Sequence, residues 1–220
     1  MSNKKTVWHR GNEYLYAFQF GRLYTNTGVF INSEKKTAFM VDAPFGSYEF
    51  LKESLLRGVA VEALLITHGH WDHIGDAHLF KKDGAKVYAH GGDRMVIEDP
   101  SLCISYLGSD MGVAPCALDC VIGDDGRFQI AGMEVHIRSV PGHSPGSVIF
   151  YMERAGIAFV GDTLFRDGIG RSDLPEGNGK LLIAGIGEKI LSLPDDTTII
   201  PGHGPFTTVA HESRNNAYLR

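Results

Sequence analysis

The sequence contains only three cysteines among 220 residues, too few for a disulfide framework in a chain of this length. Their odd number also argues against complete pairing and fits a reducing compartment. Cys116 and Cys120 are four residues apart, but no second Cys or His pair stands where a zinc knuckle would need it. We therefore interpret the cysteines as small apolar residues.

Long apolar runs are also missing. No stretch approaches the ~18 apolar residues of a membrane span, and the polar residues 1–6 lack the apolar core of a signal peptide. Basic charge is not in excess, because the formal net charge is −5. Such a charge attracts neither nucleic acid nor anionic membranes. These absences predict a cytoplasmic protein without nucleic-acid or membrane partners, and they leave a homo-oligomer among the allowed states.

The sequence has no linker, low-complexity tract or internal repeat, so residues 1–220 are expected to form a single domain. Pro100, Gly108, Gly112 and Pro115 interrupt any long element between residues 98 and 120. We predict an irregular insertion there, of the kind that can border an active site.

Short β-like runs and helical stretches fill the rest of the chain. A helix is predicted from residue 72 through residue 80, and another over residues 180–192. The two halves are alike: each has β runs, then a helix, then a buried strand that ends in His. Two sheets with helices outside them are the layered arrangement that this α/β pattern favours.

Four potential metal ligands fall within six residues, directly after the apolar run at residues 61–66. They are His68, His70, Asp72 and His73. Residues two apart in an extended chain point the same way, so His68 and His70 can face one ion. Imidazoles and carboxylates are costly to bury unpaired, so packing in the core does not explain why these four residues lie so close together. We predict a metal site.

Each of three later loops places one potential metal ligand at the end of an apolar strand. His143 lies between turn-forming residues before one strand, Asp162 follows another, and His203 follows the last buried strand. Polar residues held by Gly and Pro at strand ends are where rigid scaffolds carry sites. Together with the first cluster they complete two ligand sets.

The pattern His-x-His-x-Asp-His, followed by a distant His, an Asp and a His, resembles the metallo-β-lactamase superfamily. The resemblance implies an α/β fold, the four-layer αβ/βα sandwich, with the metals at one edge between the sheets. It implies two divalent ions, zinc first and iron or manganese as alternatives. The first ion would be bound by His68, His70 and His143, the second by Asp72, His73 and His203, with Asp162 bridging the two.

The loop at residues 168–178 is similar to that of the glyoxalase II-like (hydroxyacylglutathione hydrolase-like) branch, where it touches substrate. Typical members carry Lys and Tyr where this chain has Arg171 and Asp173, which become the expected substrate contacts. The chain ends 17 residues after His203, so we expect a compact, single-domain member. The implied function is metal-dependent hydrolysis of a small-molecule thioester such as S-lactoylglutathione. A hydroxide shared by two metals would attack the carbonyl, and Asp72 would orient it as a catalytic residue.

The same scaffold allows an alternative function. Persulfide dioxygenases of this superfamily resemble the Gly-x-Gly-Arg-x-Asp loop and bind one iron through two His and one Asp, here His68, His143 and Asp162. Two His and one carboxylate with open positions can activate oxygen. A closed structural zinc site is disfavoured because such sites are usually rich in Cys. A nuclease is disfavoured by the net acidity. Retention of all seven ligands favours the hydrolase, and a β-lactamase stays among the alternatives.

Overall fold

Two mixed β-sheets carry most of the chain in this computed structural model, which describes residues 4–103 and 108–220. The first sheet has seven strands over these residues, and the second has six. The first contains β1 (Lys5–Arg10), β2 (Glu13–Phe20), β3 (Thr25–Asn32), β4 (Thr37–Val41), β5 (Ala60–Leu65), β6 (Lys86–His90) and β7 (Cys120–Ile122). The second contains β8 (Asp125–Ile130), β9 (Met133–Ser139), β10 (Val148–Met152), β11 (Ile157–Gly161), β14 (Thr198–Pro201) and β15 (Thr207–Thr208). A small ribbon pairs β12 (Leu164–Phe165) with β13 (Gly168–Ile169).

Strand direction brings the loops of interest to one edge. In the first sheet β1 to β4 form antiparallel pairs, and β4 to β7 form parallel ones. In the second sheet the order is β15-β14-β11-β10-β9-β8, and only the β11–β14 pair is parallel. The carboxyl ends of β4 and β5 therefore lie side by side, as do those of β11 and β14.

Helices cover the outer faces of both sheets. They are α1 (Ser47–Ser54), α2 (Trp71–Ile74), α3 (Ala77–Lys82), α4 (Arg94–Glu98), α5 (Gly179–Gly185) and α6 (Val209–Asn215). Short 3₁₀ turns occur at Gly91–Asp93, Pro100–Cys103, Glu153–Ala155 and Ala217–Leu219. Within the described part of the chain, no helix is both long and apolar enough to cross a membrane.

The central core lies between the two sheets. Leu15, Phe30 and Phe39 from the first sheet pack there with Phe150 and Phe159 from the second. Successive side chains of a strand point to opposite faces, so a strand that is buried on both faces must be apolar throughout. Strand β10 shows this, since all five of its residues are buried.

Two further cores lie outside the sheets. Val29, Met40 and Leu64 of the first sheet pack against residues of α1 and α3, including Leu51 and Phe80. On the other side, Ile149, Ala158 and Ile199 of the second sheet pack against Leu182 of α5 and Val209 of α6. The layers are therefore helices, sheet, sheet, helices, and the predicted four-layer α/β sandwich is confirmed.

Two helices of the structure differ in detail from the helices that the sequence predicts. The helix expected from residue 72 to 80 is divided into α2 and α3, because the N–H of Asp76 donates to the carbonyl of Ala43 instead of continuing the helical pattern. The helix expected over residues 180–192 ends its α-helical part at Gly185 and continues as a π-helix, Ile186–Ile190. In that segment the Leu191 N–H donates to the Ile186 carbonyl, five residues back.

The structure describes most of the predicted irregular insertion at residues 98–120. Residues 100–103 form a 3₁₀ turn, residues 108–119 form neither helix nor strand, and Cys120 begins β7. Residues 104–107 lie outside the described residues. The single-domain organisation of residues 1–220 stays a prediction.

Backbone hydrogen bonds join the two sheets at the edge that carries the candidate ligands. The Val148 N–H donates to the Thr67 carbonyl at 2.9 Å, which connects β10 to the loop after β5. The Asn26 N–H of β3 also joins the sheets by donating to the Gly202 carbonyl at 2.7 Å. Within the second sheet, the Gly202 N–H donates to the Gly161 carbonyl at 2.7 Å. This edge is thus held by the main chain and not by side-chain packing alone.

Replacement of Gly28 in β3 by Ala tests how closely the sheets pack. A Cβ at Gly28 would collide with the buried ring of Phe159 from the opposite sheet. We expect Gly28→Ala to lower the free energy of unfolding by about 1–3 kcal/mol, the usual cost of overpacking a core. Urea denaturation followed by circular dichroism measures the change.

Gly126→Ala is the matched control, since a Cβ there meets nothing within 4 Å. It should change the free energy of unfolding by less than about 0.5 kcal/mol. Equal stability of the two variants would show that the sheets are less tightly packed at Phe159 than the structure indicates.

Candidate metal centre

The loop after β5 presents its polar side chains in two directions. Residues 66–70 continue without regular structure, and the backbone at His70 is extended, with φ −71° and ψ 145°. Helix α2 begins at Trp71 and carries Asp72 and His73. The chain therefore turns between His70 and Asp72, so one short loop contributes to two groups of candidate ligands.

The first group consists of His68, His70 and His143. One nitrogen from each ring lies within 4.8 Å of the others. The closest approach is between His70 Nδ1 and His143 Nε2, at 2.9 Å. His143 comes from the loop between β9 and β10, so this group joins the two sheets.

The second group consists of Asp72, His73 and His203, again with one atom from each within 4.8 Å of the others. Asp72 Oδ2 lies 3.2 Å from His203 Nε2 and 3.5 Å from His73 Nε2. The Thr25 hydroxyl also donates to Asp72 Oδ2 at 2.9 Å. His203 follows β14, so the second group also spans both sheets.

Asp162 lies between the two groups. Its Oδ1 is 3.3 Å from His73 Nε2, and its Oδ2 is 3.4 Å from His203 Nε2 and 3.7 Å from His143 Nε2. Gly202 packs so closely on this carboxylate that a Cβ there would collide with Asp162 Oδ1. All seven side chains singled out from the sequence are thus brought together, and Asp162 lies between the two groups.

Hydrogen bonds on the far side of two rings define which nitrogen faces the cluster. His143 Nδ1 is 2.8 Å from the carbonyl of Arg171, and His203 Nδ1 is 3.1 Å from the carbonyl of Leu23. A carbonyl oxygen only accepts, so each Nδ1 must carry the proton. When the ring is neutral, its Nε2 therefore offers a lone pair to the cluster.

Asp42, at the end of β4, is a supporting residue that the sequence reasoning missed. It is buried, its φ is +59°, and its Oδ2 is 2.7 Å from His73 Nδ1. The N–H and hydroxyl of Thr67 also donate to its two oxygens, each at 2.8 Å. A carboxylate directly after an apolar strand was the signal that identified Asp162, and it applied to Asp42 as well.

Asp93, at the start of α4, is a second supporting residue that was missed. Its Oδ2 accepts from the Gly69 N–H and from the Ser144 hydroxyl, and its Oδ1 accepts from the Gly146 N–H, all at 2.7 Å. Gly69 separates His68 from His70, and Ser144 follows His143. One buried carboxylate therefore fixes the two loops that form the first group.

Burial keeps His68 and His70 of the first group neutral. It lowers the pKa of His68 well below the ordinary value, and the neighbouring imidazoles of His73, His70 and His143 lower that pKa further. Burial, assisted by His143, also lowers the pKa of His70 to about 3. Both rings therefore have unprotonated nitrogen at neutral pH, which is the form that binds metal.

The second group attracts positive charge. Burial lowers the pKa of His73, but the carboxylates of Asp72, Asp42 and Asp162 outweigh it and raise that pKa well above the ordinary value. Burial also lowers the pKa of His203, but hydrogen bonds to Asp162 and Asp72 raise it to about 9. Protons are thus held where a metal cation would otherwise balance the carboxylates.

Three buried atoms of the cluster have no hydrogen-bond partner among the described residues: His68 Nε2, His73 Nε2 and Asp162 Oδ1. Leaving buried polar atoms unsatisfied costs about 1–3 kcal/mol each. Once the His73 ring has lost its extra proton, the lone pairs of two imidazoles and a carboxylate directed at one region fit divalent metal ions, and zinc, iron and manganese all accept such ligands. The candidate ligands in the described residues are His, Asp and Glu, and none is a cysteine.

Arg171 and Asp173, the expected substrate contacts, bind each other. Arg171 Nε and Nη2 donate to Asp173 Oδ1 and Oδ2, each at 2.9 Å, and both side chains are more than half exposed. The hydrogen bonds from Arg171 lower the pKa of Asp173 to about 2. The contact of this pair with the cluster that the structure shows is the Arg171 carbonyl on His143, which no pattern in the sequence could reveal.

A cavity of about 290 Å³ opens beside His70. It is bounded by the start of α4, by the loop that carries His143 and by the turn at residues 175–176. A concave, largely apolar space next to convergent polar groups is the usual form of a small-molecule site.

Known proteins are similar to this chain in sequence and fold. A sequence model of the metallo-β-lactamase superfamily matches residues 20–203. The probable metallo-hydrolase YqgX of Bacillus subtilis is 38% identical over 172 residues, which cover 78% of this chain and 80% of YqgX. The hydroxyacylglutathione hydrolase GloC of Haemophilus influenzae is 34% identical over 190 residues, which cover 84% of this chain and 89% of GloC.

Two solved structures are similar over nearly their whole length. The B3 metallo-β-lactamase BLEG-1 has a TM-score of 0.85 and 32% identity, covering 93% of this chain and 99% of BLEG-1. TTHA1623, solved in a di-iron-bound form, has a TM-score of 0.78 and 31% identity, covering 91% of this chain and 98% of that protein.

Replacement of Asp93 tests whether its three hydrogen bonds support metal binding by the first group. Asp93→Asn replaces one acceptor oxygen by an NH₂ group, so at least one donor of the two loops loses its partner. We expect metal affinity at His68, His70 and His143 to fall by about 10–100-fold, the usual effect of removing a supporting hydrogen bond. Metal per chain after dialysis against a graded chelator should show one ion lost early and one retained.

Asp76→Asn is the control, because Asp76 is a buried carboxylate that accepts from the Tyr48 N–H of α1 and belongs to none of the groups of possible ligands in the described residues. It should leave the chelator profile unchanged. A profile of Asp93→Asn that matches the control, or equal loss of both ions, would contradict a specific role of Asp93 in the first group.

Proposed function

The chain belongs to the metallo-β-lactamase superfamily, and on that basis we propose that it is a metal-dependent thioester hydrolase acting on S-lactoylglutathione or a related acylthiol. Membership of this family of metallo-hydrolases supports hydrolase activity. Support for thioesters comes from the 34% identity to a hydroxyacylglutathione hydrolase that spans most of both chains.

The position of Asp162 is the main structural support for a two-metal hydrolase. One carboxylate reaches His73 and His203 on one side and His143 on the other, at 3.3 to 3.7 Å. Two ions held by the two groups would share this carboxylate, the arrangement of two-metal hydrolases. We assign His68, His70 and His143 to one ion and Asp72, His73 and His203 to the other. Zinc is our first choice, because zinc is readily bound by imidazole.

Bound divalent ions would supply a Lewis acid for the thioester carbonyl and would lower the pKa of a water enough to make it a nucleophile. The side chains of the protein would then orient the attacking water. Burial raises the pKa of Asp72, but the charge of His73 and a hydrogen bond from His203 outweigh it and lower that pKa to about 2. The Asp72 carboxylate is therefore ionised at neutral pH and can accept a hydrogen bond from the attacking water, which orients it.

The supporting residues hold this geometry before substrate arrives. Asp42 fixes the ring of His73 through Nδ1, and the Arg171 carbonyl fixes the ring of His143 in the same way. Preorganised groups avoid the cost of reorganisation during the reaction. We assign Arg171 and Asp173 to the substrate entrance, where their exposed side chains can contact the thiol portion. We also propose a cytoplasmic protein without nucleic-acid or membrane partners.

Metal content and thioester hydrolysis, measured on protein purified without added metal, test the proposal. We expect about two ions per chain by plasma mass spectrometry and release of thiol from S-lactoylglutathione. Asp162→Ala should reduce kcat/KM by more than about 100-fold, since loss of a supporting residue alone costs 10–100-fold. Asp195→Ala, which removes an exposed carboxylate paired only loosely with Arg214, is the control and should keep full activity.

Other outcomes would point elsewhere. One tightly held iron, no thiol release and oxygen uptake with glutathione persulfide would replace the hydrolase by the dioxygenase. Less than one metal ion per folded chain would refute both functions.

A further inference from the structure

Five of the ten residues that line the cavity beside His70 are apolar. Its volume of about 290 Å³ is close to the lower end of the range for small-molecule sites, about 300–1,000 Å³. The start of α4 contributes one side of it, and two prolines contribute the other. The apolar lining residues are Met95, Val96, Leu102, Pro145 and Pro175.

Two polar side chains of the lining, Asp93 and Ser144, form a hydrogen bond with each other. The Ser144 hydroxyl donates to Asp93 Oδ2, and Asp93 also accepts from the N–H groups of Gly69 and Gly146. Both side chains are buried. Their hydrogen-bonding capacity holds the ligand loops together, so they add little polar recognition inside the cavity.

The charged residues that line the cavity in the described part of the chain are both acidic, Asp93 and Glu176. Glu176 is exposed at the rim, on a turn in which the Gly177 N–H donates to the Leu174 carbonyl. The nearby cation of Arg171 is neutralised by its two hydrogen bonds to Asp173. An anionic group at the rim would therefore meet Glu176 without a compensating cation, because the proposed metal ions would lie on the opposite side, at His70.

We propose that this cavity receives the acyl group of the thioester and selects apolar, uncharged acyl groups over anionic ones and over the small, hydroxylated lactoyl group. The inference rests on the proposed thioester hydrolysis and names its substrate class. The thiol portion of a glutathione thioester carries two carboxylates, which the acidic rim disfavours. The acyl group is therefore the part that fits.

The preference should grow with the length of the acyl chain until the cavity is filled. Each buried methylene is worth about 0.8 kcal/mol, which corresponds to about a fourfold gain in kcat/KM. A lactoyl group has three carbons and a hydroxyl, so it buries little apolar surface in the cavity. A hexanoyl group adds three carbons and can contact Met95, Val96 and Leu102.

The test compares three glutathione thioesters on the metal-loaded protein. We expect kcat/KM for S-hexanoylglutathione to exceed that for S-lactoylglutathione by at least about tenfold and S-succinylglutathione to be the poorest. Calorimetry with unreactive S-hexylglutathione and S-methylglutathione gives a readout independent of catalysis. The hexyl compound should bind at least about tenfold more tightly.

Charge reversal at the rim provides the specific variant. Glu176→Lys should raise the ratio of succinyl to hexanoyl kcat/KM by about tenfold, because a cation would then face the succinyl carboxylate. Glu188→Lys changes the net charge equally on an exposed helix outside the cavity lining and should leave that ratio unchanged.

The outcomes separate the two proposals. Cleavage of all three thioesters without an acyl preference, and with no effect of Glu176→Lys on the ratio, would overturn the cavity assignment and leave the hydrolase intact. Failure of the metal-loaded protein to cleave any of them would refute the hydrolase itself and the acyl assignment with it.

Discussion

Backbone hydrogen bonds at the common edge of the two sheets hold together the loops that carry the cluster. The candidate ligands come from four loops, and no two of these loops follow each other directly in the chain. The bonds from Val148 to Thr67, from Asn26 to Gly202 and from Gly202 to Gly161 place those loops against each other before any side chain is considered. Main-chain bonds are short and directional, so they position loops more exactly than apolar packing, which is non-directional. The central core brings the sheets together, and these bonds determine how their edges align.

The cluster concentrates groups that a protein interior ordinarily excludes. Imidazoles with lowered pKa values lie beside carboxylates that stay ionised although they are buried. Burying such groups is favourable only when hydrogen bonds or an ion satisfies them. Asp42 and Asp93 meet part of this need by accepting hydrogen bonds on the outer side of the ligands. The atoms that stay unsatisfied face inward, toward one region. The same arrangement that is costly without a cation prepares the geometry that catalysis requires.

Much of the architecture could be predicted because it depends on local patterns. The alternation in β9 and the uniform apolarity of β10 follow directly from which faces are buried. The seven candidate ligands were found because ligand residue types at strand ends are unusual. Asp93 was not, because its role depends on the Gly69 and Ser144 donors, which approach it only in the folded chain. The contact of the Arg171 carbonyl with His143 could not be predicted for a similar reason, because a main-chain carbonyl is independent of residue type.

The ligand set of nitrogen and oxygen atoms also has a redox consequence. Thiolate ligands are the usual targets of oxidants in metal sites, and the candidate ligands in the described residues include none. Burial raises the pKa of the Cys116 thiol to about 11, so it is protonated and a poor nucleophile at neutral pH. Disulfide exchange requires a thiolate. An oxidant that reaches the candidate ligands therefore finds no thiolate among them to oxidise, and the protonated Cys116 thiol would attack a disulfide only slowly.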